Sequence, residues 1–457
     1  MSDNNFLNGK SYEPLRRLLS DSKISELQTQ IRVNKDIEDT NWNEKTIKLS
    51  ELEKSSWQPK LLIAIDGDYS KSIIQNGFPG AEIGYITVST VVILLDKVRE
   101  LEKEQFIDPK QFRETEQPTS IDSLFVGCNV VLEGEDSAKS SMRKILFDEL
   151  KKFRVFNNTE TLLDTYEYLL KERSANGRAS KCPHDNCNED YEFNVGEYHC
   201  KSCNGKLYST DALRLHELLN SSGTSGEMYG QIKETFKKLQ LIHLLRSFEQ
   251  EPKYFSLLRD IAFFIEGTLA VFSTASWLAK PIRTELERLN SKVNDEFGSS
   301  LIVIGIERSG SFVNHFSAID TMKNGSEHNF PNQSTFLLTN EYIKKHIVFN
   351  DSPTYVYLED TSFGRKIFYK TKASHRVVAS IATYNNYQSN TETAFPAQFP
   401  RLIDILQLLD KLVSNRYENS VTPLASAHSE AAIPLNLGKS IFDKIAREIR
   451  ANSTNND

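Results

Sequence analysis

The segment Leu61-Leu62-Ile63-Ala64-Ile65-Asp66-Gly67-Asp68-Tyr69-Ser70 constrains the fold more than any other part of the chain. An apolar run delivers a carboxylate into a glycine turn. A short continuous apolar run bounded by turn residues reads as a strand buried on both faces. Asp66 then falls at or just past the strand's end, where the sheet stops and a site can open. A carboxylate there bears a desolvation cost unless a cation or hydrogen-bond donors meet it. A divalent metal meets that need, since hard ions such as Mg2+ take oxygen ligands. An ordinary Asp-Gly turn is the alternative reading.

Two further apolar runs end the same way. Ile261-Ala-Phe-Phe-Ile-Glu266 and Leu301-Ile-Val-Ile-Gly-Ile-Glu307 each carry an acid at the carboxyl end. In an open α/β sheet that edge is where ligands bind, so Asp66, Glu266 and Glu307 are read as one site. Carboxylates held close together repel, and such a cluster calls for bound cations. Two metals about 4 Å apart would activate a water and stabilise the leaving oxygen in phosphodiester hydrolysis. Asp68, in the turn beyond Gly67, is an additional candidate ligand. Late in the chain, His428 sits among alanines on a short helix begun by Pro423. Small residues let that helix approach the sheet closely, so that His428 points into the site as a metal ligand or proton carrier. A hydrogen-bonded core histidine is the alternative, and Glu430 reads as surface.

Four of the five cysteines fall within one short stretch. Cys182 and Cys187 form a CxxxxC pair, and Cys200 and Cys203 a CxxC pair. Two such knuckles are the sequence form of a four-cysteine zinc ribbon, in which the metal supplies stability that small polar loops lack. His184 and His199 are candidate substitutes for a cysteine ligand. Disulfides are the competing reading, disfavoured in a reducing compartment. Cys128 reads as a core residue.

The 457 residues exceed one simple core and imply a large domain with an insertion. A net charge of −7 argues against a chain coated in basic residues, though a local basic groove is compatible with it. No run approaches the roughly eighteen apolar residues of a membrane span, and the polar N-terminus is no signal peptide, so a cytoplasmic protein without membrane contact is expected. Residues 1–58 read as a polar helical arm, and 59–105 as the first part of the main domain, with strands at 60–66 and 83–95. Residues 106–252 read as a helical insertion carrying the cysteine ribbon (182–203), with a long amphipathic stretch over 228–248. Residues 253–435 complete the main domain, with further strands at 354–359 and 376–383. A C-terminal amphipathic helix and tail occupy 436–457. Strands early, helices later and alternating elements favour an α/β fold with a mixed sheet flanked by helices. The segment Phe363–Arg376 interleaves basic and aromatic residues, either to contact DNA phosphates and bases through Phe368 or Tyr369 or as a solvated hairpin. Lys151–Arg154 reads as a helix surface. Ile441, Ile445 and Ile449 form a stripe that either packs on the parent domain or docks a partner.

Several of these motifs together resemble the NurA nucleases. The strand IAIDGDYS resembles that family's opening Asp-Gly-Ser motif, matching at Asp66-Gly67 with Asp68-Tyr69 intervening before Ser70. FFIEGTLAVF resembles its second acidic motif through Glu266-Gly267-Thr268-Leu269. LIVIGIERSG resembles the strand that follows, with Glu307-Arg308 where a lysine is usual, and SHRVVASIA looks like the late Arg-Val strand. PLASAHSEAAIP is close to the terminal pattern at Pro423, Leu424, Ala427, His428 and Ala431. The resemblance covers roughly 60–105 and 255–435. It implies an RNase H-like fold, action on DNA with Mn2+ or Mg2+, a homodimer, and docking onto HerA, a hexameric DNA-pumping ATPase. Carried over by position, Asp66, Glu266 and His428 are the metal-site candidates, with Glu307 or Asp320 as a further acid. The substituted third motif leaves a second expectation: a non-catalytic DNA-binding or adaptor subunit of a HerA-like complex.

Overall fold

The computed structural model describes residues 41–457 apart from 78, 102–112, 156–159, 176–178, 322–328, 351–356, 358, 385–390, 414–418 and 455–457, together with Glu26 and Gln30. Residues 1–41 and 42–457 are separate compact units. Most of the expected arm therefore lies outside the described residues, as does most of the strand expected at 354–359.

Among the described residues, nine strands build the principal sheet. They are β1 (Ile47–Lys48), β2 (Leu61–Gln75), β3 (Ala81–Leu94), β4 (Glu116–Val126), β9 (Ile261–Glu266), β10 (Ile302–Glu307), β11 (Ser334–Leu337), β12 (Gly364–Lys370) and β13 (Arg376–Ala382). Four short strands, β5 (Ala179–Lys181), β6 (Asp190–Glu192), β7 (Glu197–His199) and β8 (Lys206–Tyr208), form two separate hairpins. The order across the main sheet is β1-β11-β12-β13-β10-β9-β2-β3-β4. In the portion β4-β3-β2-β9-β10, strands β2, β9 and β10 are parallel and β3 alone runs against its neighbours. That is the strand order of an RNase H-like sheet. Strands β13, β12, β11 and β1 extend it by antiparallel pairing.

The apolar runs dictate this arrangement. Strands β9 and β10 are buried along nearly their whole length, as a central parallel pair requires. Alternate residues feed different cores. Ile63, Ile65, Phe263 and Val303 face one cluster, while Leu62, Ala64, Phe264, Ile304 and Ile306 face the other. The first cluster is covered by α1 (Ala138–Lys152), α2 (Leu162–Ala175), α3 (Gly226–Gln250) and α4 (Ala279–Phe297). Helix α5 (Ser311–Asp320) packs Phe316 on Phe368 of β12. The second cluster is covered by α6 (Leu402–Leu412) and α7 (Thr422–Leu437), and α8 (Lys439–Thr454) follows. Among the described residues, no helix is long and apolar enough to cross a membrane.

Several expectations change. Strand β2 does not stop at Asp66 but continues to Gln75 in a long hairpin with β3. Strand β4 lies inside the stretch read as insertion. It is an edge strand with Pro118 and alternating exposure, a pattern with little apolar signal. The stretch 228–248, read as amphipathic, lies in α3, but every residue from Thr235 to Leu245 is buried, and the helix packs on β2 and β3. The basic-aromatic segment is interior: Phe368, Tyr369 and Lys370 of β12 have no exposed surface, so they cannot stack on bases. Helix α8 packs on the domain through Phe442, Ala446 and Ile449, with Phe442 stacked 3.7 Å from Tyr85, while Ile441 stays exposed.

Candidate active site

The site opens where β9 ends, not where β2 ends. Strand β2 pairs with β9 only as far as Ile65–Ile265, while its pairing with β3 continues through Asp66–Ser89. Beyond Glu266 the chain turns away at Gly267, whose φ of 88° lies in the region that glycine tolerates. Asp66 thus keeps a strand on one side and loses it on the other. The gap is filled by side chains.

Asp66 has no exposed surface. Its Oδ1 accepts the Gly67 N–H at 2.7 Å. Its Oδ2 lies 3.1 Å from His428 Nδ1 and 3.3 Å from an Arg308 terminal nitrogen. Burial raises the Asp66 pKa, but the His428 hydrogen bond, the charges of Lys237 and Arg308, and the Gly67 N–H together bring it below the usual carboxylate range. His428 reaches the acid because α7 lies flush on the sheet, where Ala427 packs in the core and its carbonyl accepts the Ser89 hydroxyl at 3.0 Å. Residues 362 apart in sequence thus meet. Glu266 Oε1 lies 3.9 Å from Arg308 Nε, and its Oε2 accepts Lys237 Nζ at 2.5 Å. Asp66, Glu266 and His428 therefore surround a single guanidinium.

The other two candidate acids stand elsewhere. Glu307 follows Ile306, and the alternation that turns Ile302, Ile304 and Ile306 toward α6 and α7 turns Glu307 to the opposite face. There its carboxylate pairs with Lys366 of β12. Asp320, at the end of α5, is buried and takes Lys370 at 2.6 Å, Arg376 at 3.3 Å and the Phe330 N–H at 2.9 Å. It is a structural ion pair at the β12–β13 end. Asp68 accepts its neighbour's N–H, from Tyr69, at 2.8 Å.

The cations were the part that residue-by-residue reading missed. Lys237 and Lys238 come from α3, and Lys366 from β12; all three are buried. Lys237 bridges Glu266 and Glu234, the latter at 2.8 Å. Lys238 donates to the Thr268 carbonyl at 3.0 Å, and Lys366 to the Thr268 hydroxyl at 2.9 Å. A Lys-Lys pair beside an apolar helical run is the sequence signal that marks Lys237 and Lys238, while Lys366 has none of that kind.

The oxygen and imidazole donors fit a divalent cation of the Mg2+ or Mn2+ kind, because two carboxylates already converge on one positive group. Among the described residues, only the four ribbon cysteines bring three or more such ligand atoms within 4.8 Å of one another. The acid cluster does not meet that spacing, and its carboxylates are paired instead with Arg308 and Lys237. In the ribbon, Cys182–Cys203 and Cys187–Cys200 are each 3.8 Å apart between sulfurs. Tetrahedral Zn–S bonds of about 2.3 Å span about that separation, whereas a disulfide is about 2.05 Å. The four can hold zinc. The four sulfurs form the set by themselves, and His184 places its Nε2 2.8 Å from the Lys206 carbonyl.

An RNase H-like sheet with acids and an imidazole gathered at its strand ends defines the class. The family model for the NurA domain matches residues 60–433, and the chain belongs to the NurA family, a family of nucleases. Among solved structures, the NurA nuclease from Sulfolobus solfataricus is 12% identical over 95% of this chain and 97% of its own, with a TM-score of 0.27. A second NurA structure is 11% identical over 93% and 94%, with a TM-score of 0.24. Curated proteins offer no match.

Proposed function

We propose that this protein is a divalent-metal-dependent deoxyribonuclease of the NurA type, processing DNA ends in repair or anti-phage defence as a homodimer docked on a HerA-like hexameric ATPase. The observation that carries the reading is the convergence of Asp66, Glu266 and His428, from distant parts of the chain, on one positively charged point. These three would hold Mn2+ or Mg2+. When bound, the ion supplies an activated water and offsets charge on the scissile phosphate.

The chain's own residues do the rest. The Gly67 N–H and the β3 pairing fix the Asp66 carboxylate, and its lowered pKa keeps it ionised. Lys237 fixes one oxygen of Glu266 and leaves the other toward the site. If His428 instead keeps Nδ1 on Asp66 and does not take the ion, exchange of a proton with substrate falls to Nε2.

The test is digestion of linear DNA by purified protein with Mn2+, with and without the ATPase and ATP. Asp66→Asn is expected to abolish cutting while leaving the fold intact; retained cutting refutes the assignment. A second reading, a non-catalytic DNA-binding or adaptor subunit, draws on one feature, the occupation of the acids by Arg308 and Lys237. It is favoured if DNA binds but no divalent ion does.

A further inference from the structure

We propose that Arg308 is a built-in counter-cation of the acid cluster, and that a divalent ion loads by displacing it. The inference rests on the metal-dependent reading above and deepens it.

Arg308 follows β10 directly and precedes Gly310, whose φ of 109° marks the turn into α5. Its guanidinium reaches across to β2, β9 and α7 at once: 3.3 Å to Asp66, 3.9 Å to Glu266 and 3.4 Å to His428 Nδ1. Without it, the fully buried Asp66 would face the gap beyond β9 with less compensation, at a large desolvation cost. The guanidinium therefore does for the carboxylates what a metal would do.

It does so loosely. Charge-assisted N–H···O contacts usually fall at about 2.7–2.9 Å. Two arginines elsewhere in this molecule meet that standard, while Arg376, 3.3 Å from Asp320, does not. Arg143 forks onto buried Asp211 at 2.7 and 2.6 Å, and Arg288 onto Glu249 at 2.8 and 2.6 Å. Arg308 makes no such fork. Its side chain is 25% exposed while that of Asp66 is 0% exposed, so it has a route out toward solvent. Lys237, by contrast, is fully buried and close to Glu266, and has no such route. A divalent ion set against the Asp66 and Glu266 oxygens that face Arg308 would lie within a few ångströms of the guanidinium, and the two like charges would repel. The two compete, and whatever stabilises one arrangement weakens the other.

The experiment measures Mn2+ affinity by EPR on the full-length, zinc-loaded chain, so that the added ion reports the acid cluster. Wild type, Arg308→Gln, Arg308→Lys and Asp66→Asn are compared. Removing the competing charge is expected to tighten Mn2+ binding by about tenfold or more in Arg308→Gln, and by less in Arg308→Lys. Arg308→Gln should also melt earlier without Mn2+ and gain more from its addition. A variant that merely damaged the fold would bind Mn2+ less well, not better. Equal or weaker binding in Arg308→Gln overturns the inference while leaving the metal site standing. If Arg308→Gln fails to fold, unchanged affinity in Arg308→Lys overturns it. If neither wild type nor either Arg308 variant binds more Mn2+ than Asp66→Asn, the metal-dependent reading falls with it.

Discussion

At the scale of single residues, Lys237 shows how the site holds charge without water. Burial pushes its pKa down, but Glu234, Glu266 and Asp66 more than reverse this and hold it well above the usual lysine range. Lys238, one position on, is brought down to about 8 by burial and by the charge of Lys237, despite Glu234. The two neighbours should therefore respond differently to the same substitution. Lys237→Met strands the carboxylates of Glu266 and Glu234 and should cost about 3–5 kcal/mol. Lys238→Met exchanges an ill-compensated ammonium for an apolar chain of similar shape and should cost about 1 kcal/mol or less. Chemical denaturation of the two variants checks this, and equal losses would contradict it. Neither lysine was legible as part of the site, because a charge pair on a helix reads as solvated surface until the partner carboxylates are seen. Asp66 and His428 were legible, since an acid inside an apolar strand and an imidazole among alanines are both unusual enough to need a reason.

At the scale of elements, α3 is seated by two glycines. A Cβ at Gly84 of β3 would overlap the ring of Tyr229, and one at Gly127 would overlap its hydroxyl and the Glu82 side chain. Gly84→Ala should therefore destabilise by about 1–3 kcal/mol through overpacking. Tyr229→Leu should relieve much of that in the double variant, and a double-mutant cycle by denaturant melts measures the coupling. At its other end α3 is clamped to α4, where Glu249 accepts Arg288 at 2.6 Å and Lys292 at 2.9 Å. Burial raises the Glu249 pKa, but these hydrogen bonds and charges win and bring it down to about 2. A depressed carboxylate pKa contributes stability above its unfolded value, about 4.3, and loses it as pH falls toward the folded value. Glu249→Gln should be less stable than wild type near neutral pH, with the difference shrinking between about pH 4 and pH 2. Unfolding curves across that range test the sign. The sequence revealed that α3 exists but not that it is buried on all sides from Thr235 to Leu245, because Lys237, Lys238, Gln240 and His243 read as a wet face until their buried surroundings are seen.

At the scale of the whole molecule, the legible part was the central sheet, and the obscure parts were its edges. Strands β2, β9 and β10 are buried on both faces and announce themselves as apolar runs. Strands β4 and β1 lie at the edges, where one face is wet and composition says little. Glu307 went astray for a related reason: strand-end grammar places an acid at the right edge, but only alternation tells which face it takes. The ribbon was legible from spacing, yet its relation to the rest was not. Cys182, Cys187 and Cys200, with Tyr191 and Phe193, belong to the same apolar cluster as Ile63, Ile65 and Phe263 of the central strands. Beneath them the Arg143–Asp211 pair is fully enclosed, and Asp211 also accepts the Tyr208 N–H at 2.9 Å, tying β8 to α1. Zinc held by the four sulfurs would then stabilise more than two small hairpins. Loss of the metal should open Cys182 and Cys200, expose this shared cluster and weaken the helices that cover the sheet. Calorimetry of the zinc-loaded chain and of Cys200→Ser distinguishes the cases. Coupling through the common core predicts that the main transition of Cys200→Ser moves to lower temperature. A ribbon that melts by itself would instead give a small separate transition and leave the main one in place.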